Sequence, residues 1–119
     1  MSKTTYRPER GDVVVVNFYP AAGREIDKRR PAIVISDTQY NRASGFCIVV
    51  PTSTNLAPGP MWYPIPNGLL DRPSVALCDF ARSVDYRERN VAFVAKAPKA
   101  LVDEVVMRLI ELVDPAYRT

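Results

Sequence analysis

The chain has 119 residues, a formal net charge of +3, 47% apolar residues, 11 prolines, five glycines, two cysteines and no histidine. That length predicts one compact domain over residues 1–119, with enough core to fold unaided, and the ordinary apolar and charged fractions exclude a disordered chain. The missing imidazole excludes a Ser-His-Asp triad, a Cys-His pair, a histidine-based ribonuclease site and the usual zinc-hydrolase ligand sets, so an enzyme built on this sequence works with carboxylates, arginines and hydroxyls.

After a polar, basic lead-in, residues 12–18 (DVVVVNF) form a β-branched run with no helical period, which predicts a largely buried strand. Residues 19–30 (YPAAGREIDKRR) predict a long charged loop, and Pro31 restarts order before a second strand at 32–36 (AIVIS). A turn segment is expected at 37–45 (DTQYNRASG), carrying Asn41 and Gly45, then a third strand, FCIVVPTS, ending in hydroxyls. Another loop follows (TNLAPGP), and MWYPIP after it is limited by its prolines to an edge or irregular strand. Short strands are expected at 74–78 (SVALC) and 91–95 (VAFVA), and the intervening FARSVDYRERN alternates weakly enough to pair in part before turning.

Only the end of the chain reads as helical. From Pro98, suited to a first helical turn, Leu101, Val105, Leu109 and Leu112 recur at spacings of three or four, widened by Val102, Val106 and Val113. Short strands followed by one helix predict a mainly β fold with a C-terminal helix: a small, partly open barrel, with the helix stripe closing over the barrel or over a partner subunit.

Cys47 and Cys78 lie inside apolar runs, which predicts reduced core residues, and two thiols without histidine argue against a structural zinc site. The lead-in lacks the apolar stretch of a signal peptide. Residues 43–70 carry no formal charge over 28 positions, but prolines at 51, 58, 60, 64 and 66 break any continuous membrane helix there. A cytoplasmic protein with no membrane segment is the expectation.

Three clusters carry candidate chemistry. The segment 23–30 (GREIDKRR) holds four cations and two carboxylates in eight positions. A solvated loop accounts for the charge alone, yet Lys28, Arg29 and Arg30 are consecutive and suit backbone attraction to a polyanion, while Arg30 abuts the proline that starts a strand. An arginine anchored at a strand edge is rigid enough to serve as a phosphate-binding fork. The second cluster, PTSTN at 51–55, is either turn chemistry or a set of phosphate-facing donors; the third is Asp79 with Arg82 three residues on. A net charge of +3 does not by itself indicate nucleic-acid binding.

Taken in order, RGDVVVVNFYP, GREIDKRRPAIVIS, YNRASG and VVPTST, resuming at ALCDFARSVD and the C-terminal helix, resemble the MazF/PemK family of toxin endoribonucleases. The resemblance implies a small SH3-like barrel (CcdB/MazF/PemK-like), a homodimer, a cognate antitoxin that blocks the RNA site, DNA contact only through the toxin–antitoxin complex, and no metal or other cofactor. It implies sequence-selective cleavage of single-stranded RNA by attack of the ribose 2′-hydroxyl on the adjacent phosphate. Carried over by position, Arg30 matches the arginine before proline on which the family's catalysis depends. Glu25 matches a glutamate of the same loop, Ser53 a threonine or serine after the third strand, and Asp79 an aspartate that serves as base in some members. Arg24, Lys28, Arg29, Thr54, Asn55 and Arg82 would bind RNA, and Tyr19, Trp62 or Phe80 could stack on bases. Many members have a histidine where this chain has Arg24 or Arg29, and some an arginine where it has Leu77, so the base is left between Glu25 and Asp79. A second class stays open: a non-nuclease barrel of the same fold that binds nucleic acid or a protein such as DNA gyrase.

Overall fold

Described for residues 6–18, 28–57, 59 and 61–118, the computed structural model carries seven strands and two helices. In chain order these are β1 (Asp12–Asn17), β2 (Arg29–Val34), α1 (Thr38–Ser44), β3 (Phe46–Ser53), β4 (Trp62–Pro64), β5 (Val75–Leu77), β6 (Arg82–Asp85), β7 (Ala92–Lys96) and α2 (Lys99–Val113), with 3-10 turns at Cys78–Phe80 and Pro115–Arg118. The mainly β fold with a C-terminal helix is as expected.

All strand pairs are antiparallel, in the order β4-β5-β3-β2-β1-β7, with β6 on β3 as well. β3 organises the barrel. One of its edges carries β2; the other pairs first with β6, through Phe46–Val49, and then with β5, through Thr52 and Ser53. Pro51 falls between those two partners, where a residue without an N–H removes no rung on that edge.

The sheet is buried on both faces, which explains why β1 reads as an unbroken apolar run instead of an alternating one. Val14, Val16, Phe18, Ala32, Val34, Val49 and Val84 pack into one core cluster, while Ile33, Ile35, Val50 and Ala76 turn the other way to meet Leu101, Val102 and Val105 of α2. Successive residues of β2 therefore serve opposite cores. The stripe on α2 is covered only in part: Leu112 and Val113 of the last turn are exposed.

Two expectations are corrected. The segment expected to be a turn holds the helix Thr38–Ser44. The Asp37 carboxylate caps it by accepting the Gln39 and Tyr40 N–H groups, and Gly45 ends it at φ 78°, a conformation that favours glycine. The second strand also begins earlier, at Arg29, and runs through Pro31, which pairs across to Val15; Ile35 and Ser36 fall beyond its end. Both cysteines are reduced and buried, as expected, and burial pushes their thiols up to about 12 for Cys47 and about 11 for Cys78. Among the described residues, no helix is long and apolar enough to cross a membrane.

Candidate active site

The early start of β2 decides where Arg30 goes. β1 and β2 pair at Val16↔Arg30 and Asn17↔Arg29, and the Phe18 N–H donates to the Lys28 carbonyl, closing the base of the connection between them. Lys28 itself lies at φ 71°, uncommon for a residue with a side chain. On the other side, β2 pairs with β3 as far as Ala32↔Pro51, which brings the start of β2 beside the end of β3. Two further bonds lock this corner. Arg30 Nη1 donates to the Thr52 carbonyl at 3.2 Å, and Thr52 Oγ1 donates to the Pro31 carbonyl at 2.9 Å. Arg30 is thus half-buried and held at a strand edge, as a phosphate-binding fork requires.

This corner opens into a cleft of about 510 Å³. Lys28, Arg29, Arg30 and Pro31 line one part of it, Thr52, Ser53 and Thr54 another, and Val15 and Val94 come from β1 and β7. The segment between β4 and β5 completes it with Leu69, Leu70, Asp71, Arg72 and Ser74. Among the described residues, four cations and one carboxylate line this space, a balance that favours a bound anion. Ser53 Oγ accepts the Asn55 N–H at 3.1 Å, which leaves its hydroxyl proton available to donate.

The predicted residues divide accordingly. The structure brings together Arg30, Ser53, Lys28, Arg29 and Thr54. Arg29 Nη1 also donates to the Asn90 carbonyl at 2.9 Å, which ties it to the turn before β7. Asn55 is not in the lining: its Oδ1 accepts the Ala57 N–H at 3.2 Å, the local turn chemistry typical of asparagine. Arg82 does not line the cleft either; its guanidinium lies 5.8 Å from the Phe18 ring centroid. Asp79 sits in the 3-10 turn after β5, outside the lining, where its charge and that of Arg108 on α2 both act on Cys78. Leu77 is core, at 2% exposure. Glu25, Arg24 and Tyr19 lie outside the described residues. Trp62 packs against Gly59, and its buried indole N–H has no hydrogen-bond partner among the described residues.

Asp71 and Arg72 are the cleft residues that sequence reasoning missed. In the chain they read as part of a polar turn, NGLLDRPS, and only the pairing of β5 with the end of β3 carries that turn to the cleft. Among the described residues, no group of three or more Cys, Asp or Glu side chains is placed to hold a metal ion.

Known proteins share this fold and part of this sequence. The model of the PemK-like, MazF-like toxins of type II toxin–antitoxin systems matches residues 9–113. The endoribonuclease toxin MazF of Escherichia coli strain K12 is 36% identical over 85 residues, 71% of this chain and 75% of the relative. The endoribonuclease PemK of Escherichia coli is 29% identical over 104 residues, 85% of this chain and 78% of the relative. Among solved structures, MazF from Deinococcus radiodurans superposes with a TM-score of 0.85 at 35% identity, covering 91% of this chain and 97% of that one. A MazE–MazF complex from the same organism gives a TM-score of 0.78 at 31% identity, with 92% and 97% covered.

Proposed function

Because the chain belongs to the PemK-like, MazF-like toxin family of type II toxin–antitoxin systems, we propose that its cleft cleaves single-stranded RNA and that a cognate antitoxin neutralises it. The observation that carries this reading is the corner of the cleft, where Arg30 is fixed by the Thr52 carbonyl at 3.2 Å and shares the lining with Ser53. Cleavage by an internal 2′-hydroxyl asks a protein mainly to hold a phosphate in line and to neutralise the negative charge that grows on it. Arg30 supplies charge and a planar fork at that point. It does not supply the proton, since a guanidinium stays protonated with a pKa above about 12. The Ser53 and Thr54 hydroxyls add neutral donors to phosphate oxygens, and Lys28, Arg29 and Arg72 draw the rest of the backbone in.

A single strand is the substrate this arrangement favours, because an unstacked backbone adopts the in-line geometry that a duplex resists. The nucleophile belongs to the substrate, so the reaction calls for no metal. Glu25 and Asp79 remain the carboxylates that the family resemblance offers for proton transfer. The protein acts as a homodimer in the cytoplasm, and reaches DNA only as part of the toxin–antitoxin complex.

The test replaces Arg30. Arg30→Ala should lower the cleavage rate by about a hundredfold or more with little change in folding, the scale of one transition-state contact. Arg30→Lys, which keeps the charge but loses the fork, should recover only part of it. An Arg30→Ala protein that cuts RNA at the original rate would refute the role given to this corner.

A further inference from the structure

Proton transfer needs a base that can touch the reacting 2′-hydroxyl, and a chain without histidine must find it among its carboxylates. Among the described residues only Asp71 brings a carboxylate to the cleft; Asp79 lies beyond the end of β5, on the side of α2. We propose that Asp71 is a further catalytic residue of this site, the general base that takes the 2′-hydroxyl proton; the proposal rests on the RNA-cleaving reading above.

Asp71 lies in the bend that leads into β5. β5 pairs with β3 at Ser53↔Val75, so the chain entering β5 runs back past Ser53 and Thr54 along the rim of the cleft. Its backbone is pinned by the Ile65 N–H on the Ser74 carbonyl at 3.0 Å and by the Ser74 hydroxyl on the Arg72 carbonyl at 2.9 Å. The Asp71 side chain is exposed and takes part in no ion pair among the described residues, although four cations share the cleft with it. A carboxylate on the wall of a phosphate site opposes binding of the backbone, so attraction to RNA does not account for it, whereas proton transfer gives it a role. Among the described residues, the charged groups that line the cleft with it are Lys28, Arg29 and Arg30, with Arg72 next to it in the chain; β1 and β7 contribute the uncharged Val15 and Val94.

The step balances without an added reagent. An Asp71 oxygen accepts the 2′-hydroxyl proton as the O2′–P bond forms; the P–O5′ bond breaks, and the departing 5′-oxygen takes a proton from water. Asp71 then returns its proton to solvent, leaving a 2′,3′-cyclic phosphate and a 5′-hydroxyl. Arg30 stabilises the charge on the phosphate throughout, and each group keeps one role.

The experiment measures kcat and KM against pH for the full chain on a single-stranded RNA it cuts, comparing wild type, Asp71→Asn, Asp71→Glu and Glu25→Gln. Asp71→Asn should lower kcat by about a hundredfold or more with KM within a few-fold, and the rise of kcat with pH on the acid side should flatten. Asp71→Glu should restore part of the rate and the acid limb. An Asp71→Asn protein with the wild-type rate would overturn the proposal. So would one that keeps the acid limb and changes only which sequence is cut, or a Glu25→Gln protein that alone loses the limb. A wild-type chain that leaves RNA intact would instead overturn the function itself.

Discussion

Replacing Asn41 with alanine tests whether the family-like motif YNRASG acts through the fold. Asn41 is fully buried, and its side chain holds three partners. Its Oδ1 accepts the Ser36 hydroxyl at 2.5 Å, and its Nδ2 donates to the carbonyls of Pro8 at 3.0 Å and Ser36 at 3.4 Å. The Ser36 hydroxyl in turn accepts the Ile48 N–H at 2.8 Å, so one amide links the N-terminal segment, α1 and β3. Without it the buried Pro8 carbonyl has lost a donor and the Ser36 hydroxyl an acceptor. At about 1–2 kcal/mol for each polar group left unpaired, the loss sums to about 3 kcal/mol, a large share of the roughly 5–15 kcal/mol that holds a domain together. Urea unfolding is the assay. With a slope of about 2 kcal/mol/M, the midpoint should fall by about 1.5 M. Asn41→Leu, which keeps the branched shape but removes the polar atoms, should lose at least as much if polar satisfaction is the cause. A fall of less than about 0.5 M in both variants would refute the reasoning.

Other consequences are measurable in the same way. Burial raises the Cys47 and Cys78 thiols from an ordinary 9.0 to about 12 and about 11, so neither should react with a thiol reagent at pH 8 until the chain is unfolded. Since the unfolded thiols ionise first, stability is fully present below about pH 9 and should fall as pH rises through the folded values, at about 1.4 kcal/mol per pH unit for each thiol; a Cys47→Ala/Cys78→Ala protein should show a smaller fall. Tyr6, raised by burial and by its bond to Asp12, acts in the same direction. Asp37→Ala removes the cap of α1 and should cost about 1 kcal/mol in thermal unfolding, with cleavage unchanged. Ser53→Ala should slow cleavage about tenfold to a hundredfold without loss of stability, in line with one lost donor to the phosphate.

Most of the barrel is legible in the sequence because its strands are short apolar runs cut by loops, and burial on both faces makes them stand out. The helix α2 shows through its stripe from Leu101 to Leu109. What misleads is local. Asp37 and Gly45 frame a helix, but the seven residues between them carry one buried side chain, Asn41, and so no apolar periodicity. Pro31 looks like the start of a strand and lies inside one, because the residues before it pair with β1.

The site divides along the same line. Arg30 and Ser53 stand at the ends of two strands that pair side by side; the family resemblance put them in one site, and the structure lines one cleft with both. Asp71 and Arg72 reach the cleft only through the register of β5 on β3, between residues more than 20 apart in the chain, and a polar turn carries no sign of that. Arg82 looks cationic and available in the sequence; the structure puts it over Phe18. Asp79 follows an apolar strand as a site residue would, and the 3-10 turn at Cys78–Phe80 takes it out of the cleft lining.

Incubating the purified chain with a long single-stranded RNA in excess EDTA, and mapping both ends of every fragment, shows whether this protein cuts RNA without metal. Discrete cuts at a short recurring sequence are expected, each leaving a 2′,3′-cyclic phosphate upstream and a 5′-hydroxyl downstream. RNA that stays intact with a demonstrably folded protein, or fragments ending in 3′-hydroxyl and 5′-phosphate, would contradict the proposed cleavage.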